Sequence, residues 1–296
     1  MPESLVLYSV ADHIAHVQLN RADKLNAANR QLLAEFAQAF TDVEANPHVR
    51  VVVVSAVGAH FTAGLDLGDV LGTVETQGID LIPEGLIDPW GVKTAPISKP
   101  VVVAAQGSCL TLGMELILAA DVAVVDSTAI FSQLEVSRGI LPFGGATTRL
   151  SARVGWGNAM RYLLTGDKFD AAEALRIGFV QEVTEPGKQI ARALEIAARI
   201  AAQAPLAVQS ALANARAAVR EGDAAAEAGL QPELVRLATS EDARIGMEAF
   251  LTRQPAEFVG RFQLERAPMA KADYLLAKAS LASLEIDLAA AKVSAE

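Results

Sequence analysis

The sequence predicts an α/β protein, and three observations do so. Arg50-Val-Val-Val-Val-Ser is an unbroken β-branched run, the pattern of a strand buried on both faces, and Val101–Ala105 is a second such run. Each leads into a glycine-bearing turn, at Gly64 and at Gly107, and then into a helix pattern, so one strand–turn–helix design is used twice. From about residue 147 the chain turns largely to helical, Ala-rich spacing.

Taken in order, residues 5–10 and 14–19 read as two short strands joined by a polar Ala11-Asp12-His13 turn. His13 and His16, three apart, fall on opposite faces of a strand, so exposed histidines are expected there and not a metal site. The polar break N-R-A-D-K-L-N-A-A-N (20–29) offers Asn26 as the N-cap of an amphipathic helix over about 28–45. Leu32, Phe36, Phe40 and Val43 form its inward face, and Pro47 ends it. Asp66 and Asp69 suit the start of the helix after Gly64. Residues 70–98 carry four glycines and three prolines with weak periodicity, which reads as a long loop or partly helical insertion, either a lid or a surface excursion. Strands are expected at 122–125 and 179–183, and helices at 147–154, 156–164, 171–177 and 189–202. Pro205 opens another helix at its first turn, and helical spacing continues to about residue 260. Residues 261–296 have the spacing of one more amphipathic helix, packed on a neighbouring subunit or frayed.

Composition narrows the classes. The chain of 296 residues can bury a sizeable core without staples. A net charge of −10 argues against a nucleic-acid partner or an anionic membrane surface. The single Cys109 excludes an intramolecular disulfide framework, and neither a signal peptide nor a membrane-length apolar run is visible, so a cytoplasmic location is expected.

The chemistry concentrates between Pro100 and Gly145. A Thr111-Leu112-Gly113 step leads from the second buried strand into an apolar helix, so free N–H groups point out of its first turn. Glu115 sits in that turn, and Glu135 follows a short apolar stretch and precedes a loop rich in Gly and Pro. Two glutamates in apolar surroundings beside a helix N-terminus point to acid/base chemistry next to an oxyanion site. Read singly, Glu115 is a dipole-complementing first-turn acid and Glu135 a solvated loop residue.

The segments F-T-A-G-L-D-L (61–67), K-P-V-V-V-A-A-Q-G (99–107), L-G-M-E-L-I-L-A-A-D (112–121), S-Q-L-E (132–135), G-I-L-P-F-G-G (139–145) and L-T-G-D-K-F-D-A-A-E-A (164–174) together resemble the crotonase (enoyl-CoA hydratase/isomerase) family, in order and spacing, from about residue 5 to 260. The resemblance implies a crotonase-like spiral of ββα units with two nearly perpendicular sheets over 1–200. It further implies a helical trimerisation region over 201–260, with 261–296 as a tail. The chain is then expected to be a homotrimer or a dimer of trimers. Its ligand is expected to be an acyl-CoA thioester, with no metal and no cofactor beyond the CoA carried by the substrate.

Transferred residue by residue, the backbone N–H groups of Leu65 and Leu112 would form the oxyanion hole, and Glu115 and Glu135 would hold one water between them. Glu115 would help take its proton as hydroxide adds to C3, and Glu135 would deliver a proton to C2. Keeping both glutamates favours enoyl-CoA hydration. Other crotonase reactions (isomerase or hydratase-lyase) and a non-catalytic CoA-binding scaffold are the alternatives. Lys24, Leu25 and Ala27 match the segment lining the CoA nucleotide, and Ala63 and Asp66 the adenine end, Asp66 doubling as a helix cap. Phe258 resembles a C-terminal aromatic near adenine, with Arg261 beside it. Three positions depart from the family pattern. Phe143 replaces a small residue whose N–H helps hold the water and is expected to crowd the site. Leu112 stands where glycine is usual and is expected to take a conformation easier for glycine, and N-R-A replaces N-R-P at 20–22. Trp90 either floors the acyl pocket or anchors the 70–98 loop. Asp121 is expected to be a buried structural carboxylate, and neither Cys109 nor Ser108 sits in a nucleophile motif.

Overall fold

The structure is a computed structural model that describes residues 4–77 and 81–262. In chain order its elements begin with β1 (Val6–Ala11), β2 (Ile14–Leu19), α1 (Arg30–Ala45), β3 (Val51–Ala56), α2 (Leu67–Gln77), β4 (Val101–Ala105), β5 (Ser108–Leu110) and α3 (Leu112–Ala119). Next come β6 (Val122–Asp126), β7 (Ile130–Ser132), α4 (Ala146–Val154), α5 (Trp156–Thr165), β8 (Phe169–Asp170), α6 (Ala171–Arg176) and β9 (Glu182–Thr184). Four helices close the described chain: α7 (Gln189–Ala201), α8 (Pro205–Glu221), α9 (Asp223–Ala238) and α10 (Glu241–Thr252).

The β-branched runs form the centre of a six-stranded sheet of order β1-β2-β3-β4-β6-β9, and β5-β7-β8 make a second sheet. Only β1 runs antiparallel to its neighbour in the larger sheet. All six residues of β3 are buried, as a strand covered on both faces requires. Val52 and Val54 face the main core with Phe36, Phe40 and Ile117. Val51, Val53, Val102, Ala104 and Val124 face α7, which meets them through Ala193, Ala197 and Ala201. No helix of the described residues is long and apolar enough to cross a membrane.

Several expectations are corrected. The N-cap of α1 is Asn29, whose side chain accepts from the Leu32 N–H at 2.9 Å. Asn26 is buried, accepts from the Arg21 N–H and donates to the carbonyls of Val57 and His60, so it ties the 20–29 loop to the turn after β3. An asparagine supplies both donor and acceptor, so it can cap a helix or, as Asn26 does, cross-link two loops. His13 lies in the β1–β2 turn at φ +65°, and His16, half-buried, bonds Ser55 Oγ at 2.8 Å. Phe179 and Val180 are buried but not in a strand. Phe179 packs edge-on against Phe131 and Phe169, and β9 begins three residues later than expected. The strands β5, β7 and β8, two or three residues each, are too short to leave a periodic signal. Beyond Phe262 the expected tail helix lies outside the described residues.

The end of α1 shows how a buried charge is accommodated. Lys99, 4% exposed, donates its ammonium to the carbonyls of Val43 and Asn46 and more weakly to Glu44, satisfying groups that a helix C-terminus leaves open. Lys99→Met is expected to lower the unfolding free energy by about 2 kcal/mol in a urea titration, because these carbonyls lose their donor. An unchanged midpoint would show that water replaces the ammonium without loss.

Candidate active site

The site is built where two parallel strands end. After β3 the chain continues into a loop and after β4 into β5, and the two pair through a parallel bridge between Thr62 and Cys109, while a second bridge joins Leu65 to Ala28. In that second bridge Ala28 bonds the Gly64 carbonyl and the Asp66 N–H, so the N–H of Leu65 points the other way. Leu112 is the first residue of α3, whose first internal bond runs from the Glu115 N–H to the Thr111 carbonyl. Its own N–H therefore has no helical acceptor. Both leucines line one small cavity with Ala63, Thr111, Glu135 and Phe143, so the structure brings together the two residues that the family resemblance singles out.

Backbone strain falls on Thr111 and not on Leu112. Thr111 has φ +48° and ψ −110°, whereas Leu112 lies in the helix. A β-branched residue in that region costs on the order of 1–3 kcal/mol. The strained Thr111 is accommodated because its Oγ1 occupies the space a Cβ at Gly64 would fill.

Glu115 is fully buried. Its Oε1 accepts from the N–H groups of Gly144 at 2.8 Å and Ala146 at 3.1 Å, while Oε2 has no partner among the described residues. Gly144 has to be glycine, since a Cβ there would overlap the carboxyl group. Burial pushes the Glu115 carboxyl up to about 7, and the nearby Glu135 charge adds to that; the two amides and Arg149 offset part of it. Glu135, 5% exposed, opens a short 3₁₀ turn, Glu135–Arg138. Its Oε1 lies 3.5 Å from the Gln133 amide nitrogen and its Oε2 is unpartnered among the described residues. Burial raises its pKa too, against a partial offset from its own N–H and Arg138. Both desolvated carboxyls are therefore easier to protonate than a solvated glutamate, Glu115 the more so for the Glu135 charge beside it. One group is then able to accept a proton while the other donates one.

Phe143 does not fill the site. It lines the cavity beside Leu65, Leu112 and Glu135, which keeps about 50 Å³, ample for a water molecule. On its other side Phe143 lines an apolar cavity of about 150 Å³ with Leu33, Ile82, Trp90, Val92 and Leu112. Trp90 both lines this cavity and anchors its loop, with the indole N–H donated to the Leu112 carbonyl at 2.9 Å.

The other residues singled out from the sequence separate into two places. Lys24 and Leu25 are exposed on the loop after β2, and the Leu25 carbonyl accepts from the Ala63 N–H, so Lys24, Leu25, Ala27 and Ala63 lie together. Asp66 pairs with Arg21 at 2.7 Å and accepts from the Gly68 and Asp69 N–H groups, which hold its carboxyl below the usual range, as a helix cap does. Phe258 packs against Gly246 of α10, and its carbonyl accepts from Arg50 at the opposite end of β3. Within one chain it does not meet the Lys24 loop. Arg261 pairs with Glu241, and Asp121, only partly buried, accepts from the Val101 N–H and pairs with Arg216. Cys109 is buried, which pushes its thiol up and leaves it inert. Among the described residues no three His, Cys, Asp or Glu side chains converge as a metal-binding group.

Sequence reasoning missed Arg149 and Gln133. Arg149 donates to the carbonyls of Trp90, Gly91 and Gly144, binding the Trp90 loop to the loop that holds Glu115. Gln133, fully buried beside Glu135, sits inside the quoted S-Q-L-E segment, where its polarity on an otherwise apolar strand end was the available signal.

The raised Glu115 pKa has a consequence for stability. Between its ordinary value of 4.5 and about 7 the folded state binds more protons at this group than the unfolded state. The contribution of Glu115 to stability therefore falls as pH rises across that window and is flat above it. Glu115→Gln removes this slope, so its stability relative to the parent should improve between pH 4 and pH 8 by on the order of 3 kcal/mol, as read from urea titrations. A difference that does not change with pH would show that the carboxyl titrates normally.

Comparison with known proteins agrees with the geometry. The chain matches the enoyl-CoA hydratase/isomerase family profile over residues 10–261. It is 30% identical over 270 residues to the crotonyl-CoA hydratase of Syntrophomonas wolfei, covering 86% of this chain and 98% of that protein. Among solved structures, a probable enoyl-CoA hydratase/isomerase of Mycobacterium abscessus is 50% identical, with a TM-score of 0.84 over 87% of this chain and 99% of that one. The enoyl-CoA hydratase of Mycobacterium tuberculosis H37Rv is 31% identical, with a TM-score of 0.79 over 87% and 100%. The profile match over residues 10–261, with relatives at 30–50% identity across most of their length, makes this chain a member of the enoyl-CoA hydratase/isomerase family.

Proposed function

We propose that this protein is an enoyl-CoA hydratase that adds water reversibly and syn across a trans-2-enoyl-CoA to give a 3-hydroxyacyl-CoA. The observation that carries this is the pair Glu115 Oε2 and Glu135 Oε2, each buried and without a partner among the described residues. Such atoms are costly unless substrate or water satisfies them.

In this mechanism the thioester oxygen accepts from the Leu65 and Leu112 N–H groups, which stabilise the enolate charge as it develops. Water lies between the two carboxyls. Its oxygen bonds to C3 while its proton passes to Glu115 Oε2, the oxygen left open because two amides hold Oε1. The enolate collapses as C2 takes a proton from Glu135. The proton gained by one carboxyl and lost by the other balances the addition of one water. Lys24, Leu25, Ala27, Ala63 and Asp66 lie where the CoA nucleotide would run. Phe258 reaches such a site only from a neighbouring subunit. Surface chemistry supports that neighbour: α8–α10 expose Val219 at 81%, Phe250 at 79%, and also Leu234, Val235 and Met247. A homotrimer or dimer of trimers, assembled through 201–260, covers these side chains.

Glu115→Gln and Glu135→Gln are each expected to lower kcat for crotonyl-CoA by ~10²-fold or more with KM little changed, followed by loss of the conjugated thioester absorbance. If either variant kept most of its turnover, that residue would have no acid/base role. If the parent protein added water to no enoyl-CoA, the hydratase proposal would fail, and a moved double bond would replace it with isomerisation. Sedimentation equilibrium should return a multiple of three chains; a stable monomer would remove the trimer.

A further inference from the structure

We infer that the acyl tail this protein accepts is short and apolar, roughly six carbons beyond the reacting double bond at most, and that Trp90 is the wall that limits it. This rests on the proposed hydratase site and names its substrate class.

The apolar cavity beside that site is lined by Gly144, the residue whose N–H holds Glu115, and so offers room for a tail there. At about 150 Å³ it matches a cavity that holds a single benzene molecule, so about six carbon atoms fill it. Its walls are Leu33, Ile82, Trp90, Val92, Leu112 and Phe143. The polar side chains that reach it are already engaged. Asp88, 4% exposed, accepts from the N–H groups of Trp90, Val92 and Lys93, and Lys93 donates its ammonium to the Ile82 carbonyl. A hydroxyl or carboxylate at the tail end would have to displace one of these bonds, and its desolvation would go uncompensated.

Trp90 differs from the other walls in being held from three sides. Its indole N–H bonds the Leu112 carbonyl, its ring meets Phe36 edge-on at 5.7 Å, and its own carbonyl accepts from Arg149 at 2.7 Å. Swinging the ring aside for a longer tail would break a buried hydrogen bond to the first turn of α3, the turn that presents the Leu112 N–H. An aliphatic wall such as Leu33 has no such tether. A tail that overruns this wall therefore meets a fixed obstacle, and one misfitting methylene in an apolar pocket is worth ~10-fold or more in kcat/KM.

The test is kcat/KM for crotonyl-, hexenoyl-, octenoyl- and dodecenoyl-CoA, with a 2-enoyl-CoA bearing a terminal carboxylate as the polar arm. The parent protein should favour the three shorter chains and lose ~10-fold or more at dodecenoyl and at the carboxylate. Trp90→Leu should raise the dodecenoyl-to-hexenoyl ratio by ~10-fold or more, while Trp90→Phe, which keeps a ring but loses the N–H that tethers it, should raise it by a smaller factor. Equal use of dodecenoyl and hexenoyl by the parent, preference for the carboxylate, or an unmoved ratio in Trp90→Leu would overturn the inference. Should Trp90→Leu fail to fold, Ile82→Ala widens the same cavity from another wall and should move the ratio the same way. Calorimetric binding of the saturated acyl-CoA series reads the cavity without turnover. Absence of hydration at every length would therefore remove the reaction, while the binding series would still decide chain length.

Discussion

A carboxylate with no exposed surface has to be held by something, and here the holders are two backbone amides, those of Gly144 and Ala146, on Glu115 Oε1. Much of the architecture serves that grip. The loop carrying Gly144 has to come within contact distance of α3, so position 144 has no room for a side chain. Arg149 bonds the Gly144 carbonyl at 3.3 Å, while its charge keeps the Glu115 pKa from rising further. The grip satisfies one oxygen and leaves the other bare. That asymmetry makes the group usable in acid/base chemistry, because a fully satisfied carboxylate would simply be a structural anion.

The same economy places the two amides. Parallel strands ending side by side send their loops off in one direction, and the Thr62–Cys109 bridge keeps those loops in register. The cost of bringing α3 close enough is concentrated at Thr111, one residue before the helix, where an unfavourable φ is locked by its N–H bond to the Ser132 carbonyl and by the vacant side-chain position of Gly64. Strain and desolvated charge thus gather within a few residues of each other, and both oppose folding. The valine-rich sheet and the α7 face supply the stability that offsets them.

Away from the site, at the ends where β3 and β4 begin, long cations close helix ends. Lys99 donates to the last carbonyls of α1, Arg153 to those of Ile117 and Ala120 at the end of α3, and Arg50 to Ala201 at the end of α7. Each cation comes from a distant segment, so the cap is also a tether between elements. These contacts explain how a half-buried arginine or lysine is tolerated in a protein whose net charge is −10.

The Leu65 and Leu112 amides and the roles of the two glutamates come from the family resemblance, while the sequence by itself determined the α/β class, the two buried strands and the open first turn of α3. These follow from local patterns: β-branched runs have few alternatives to a covered strand, and a Thr-Leu-Gly step before an apolar helix exposes its first N–H groups whatever packs around it. Only the tertiary structure decided that Asn29 and not Asn26 caps α1, that Phe179 is core packing and not strand, and that Thr111 bears the strain. It alone decided the engagement of Arg149 with the Gly144 loop, the tethering of Trp90 to Leu112 and the spare room beside Phe143. Those outcomes depend on which groups from distant parts of the chain arrive within bonding distance, and neither spacing nor composition encodes that meeting.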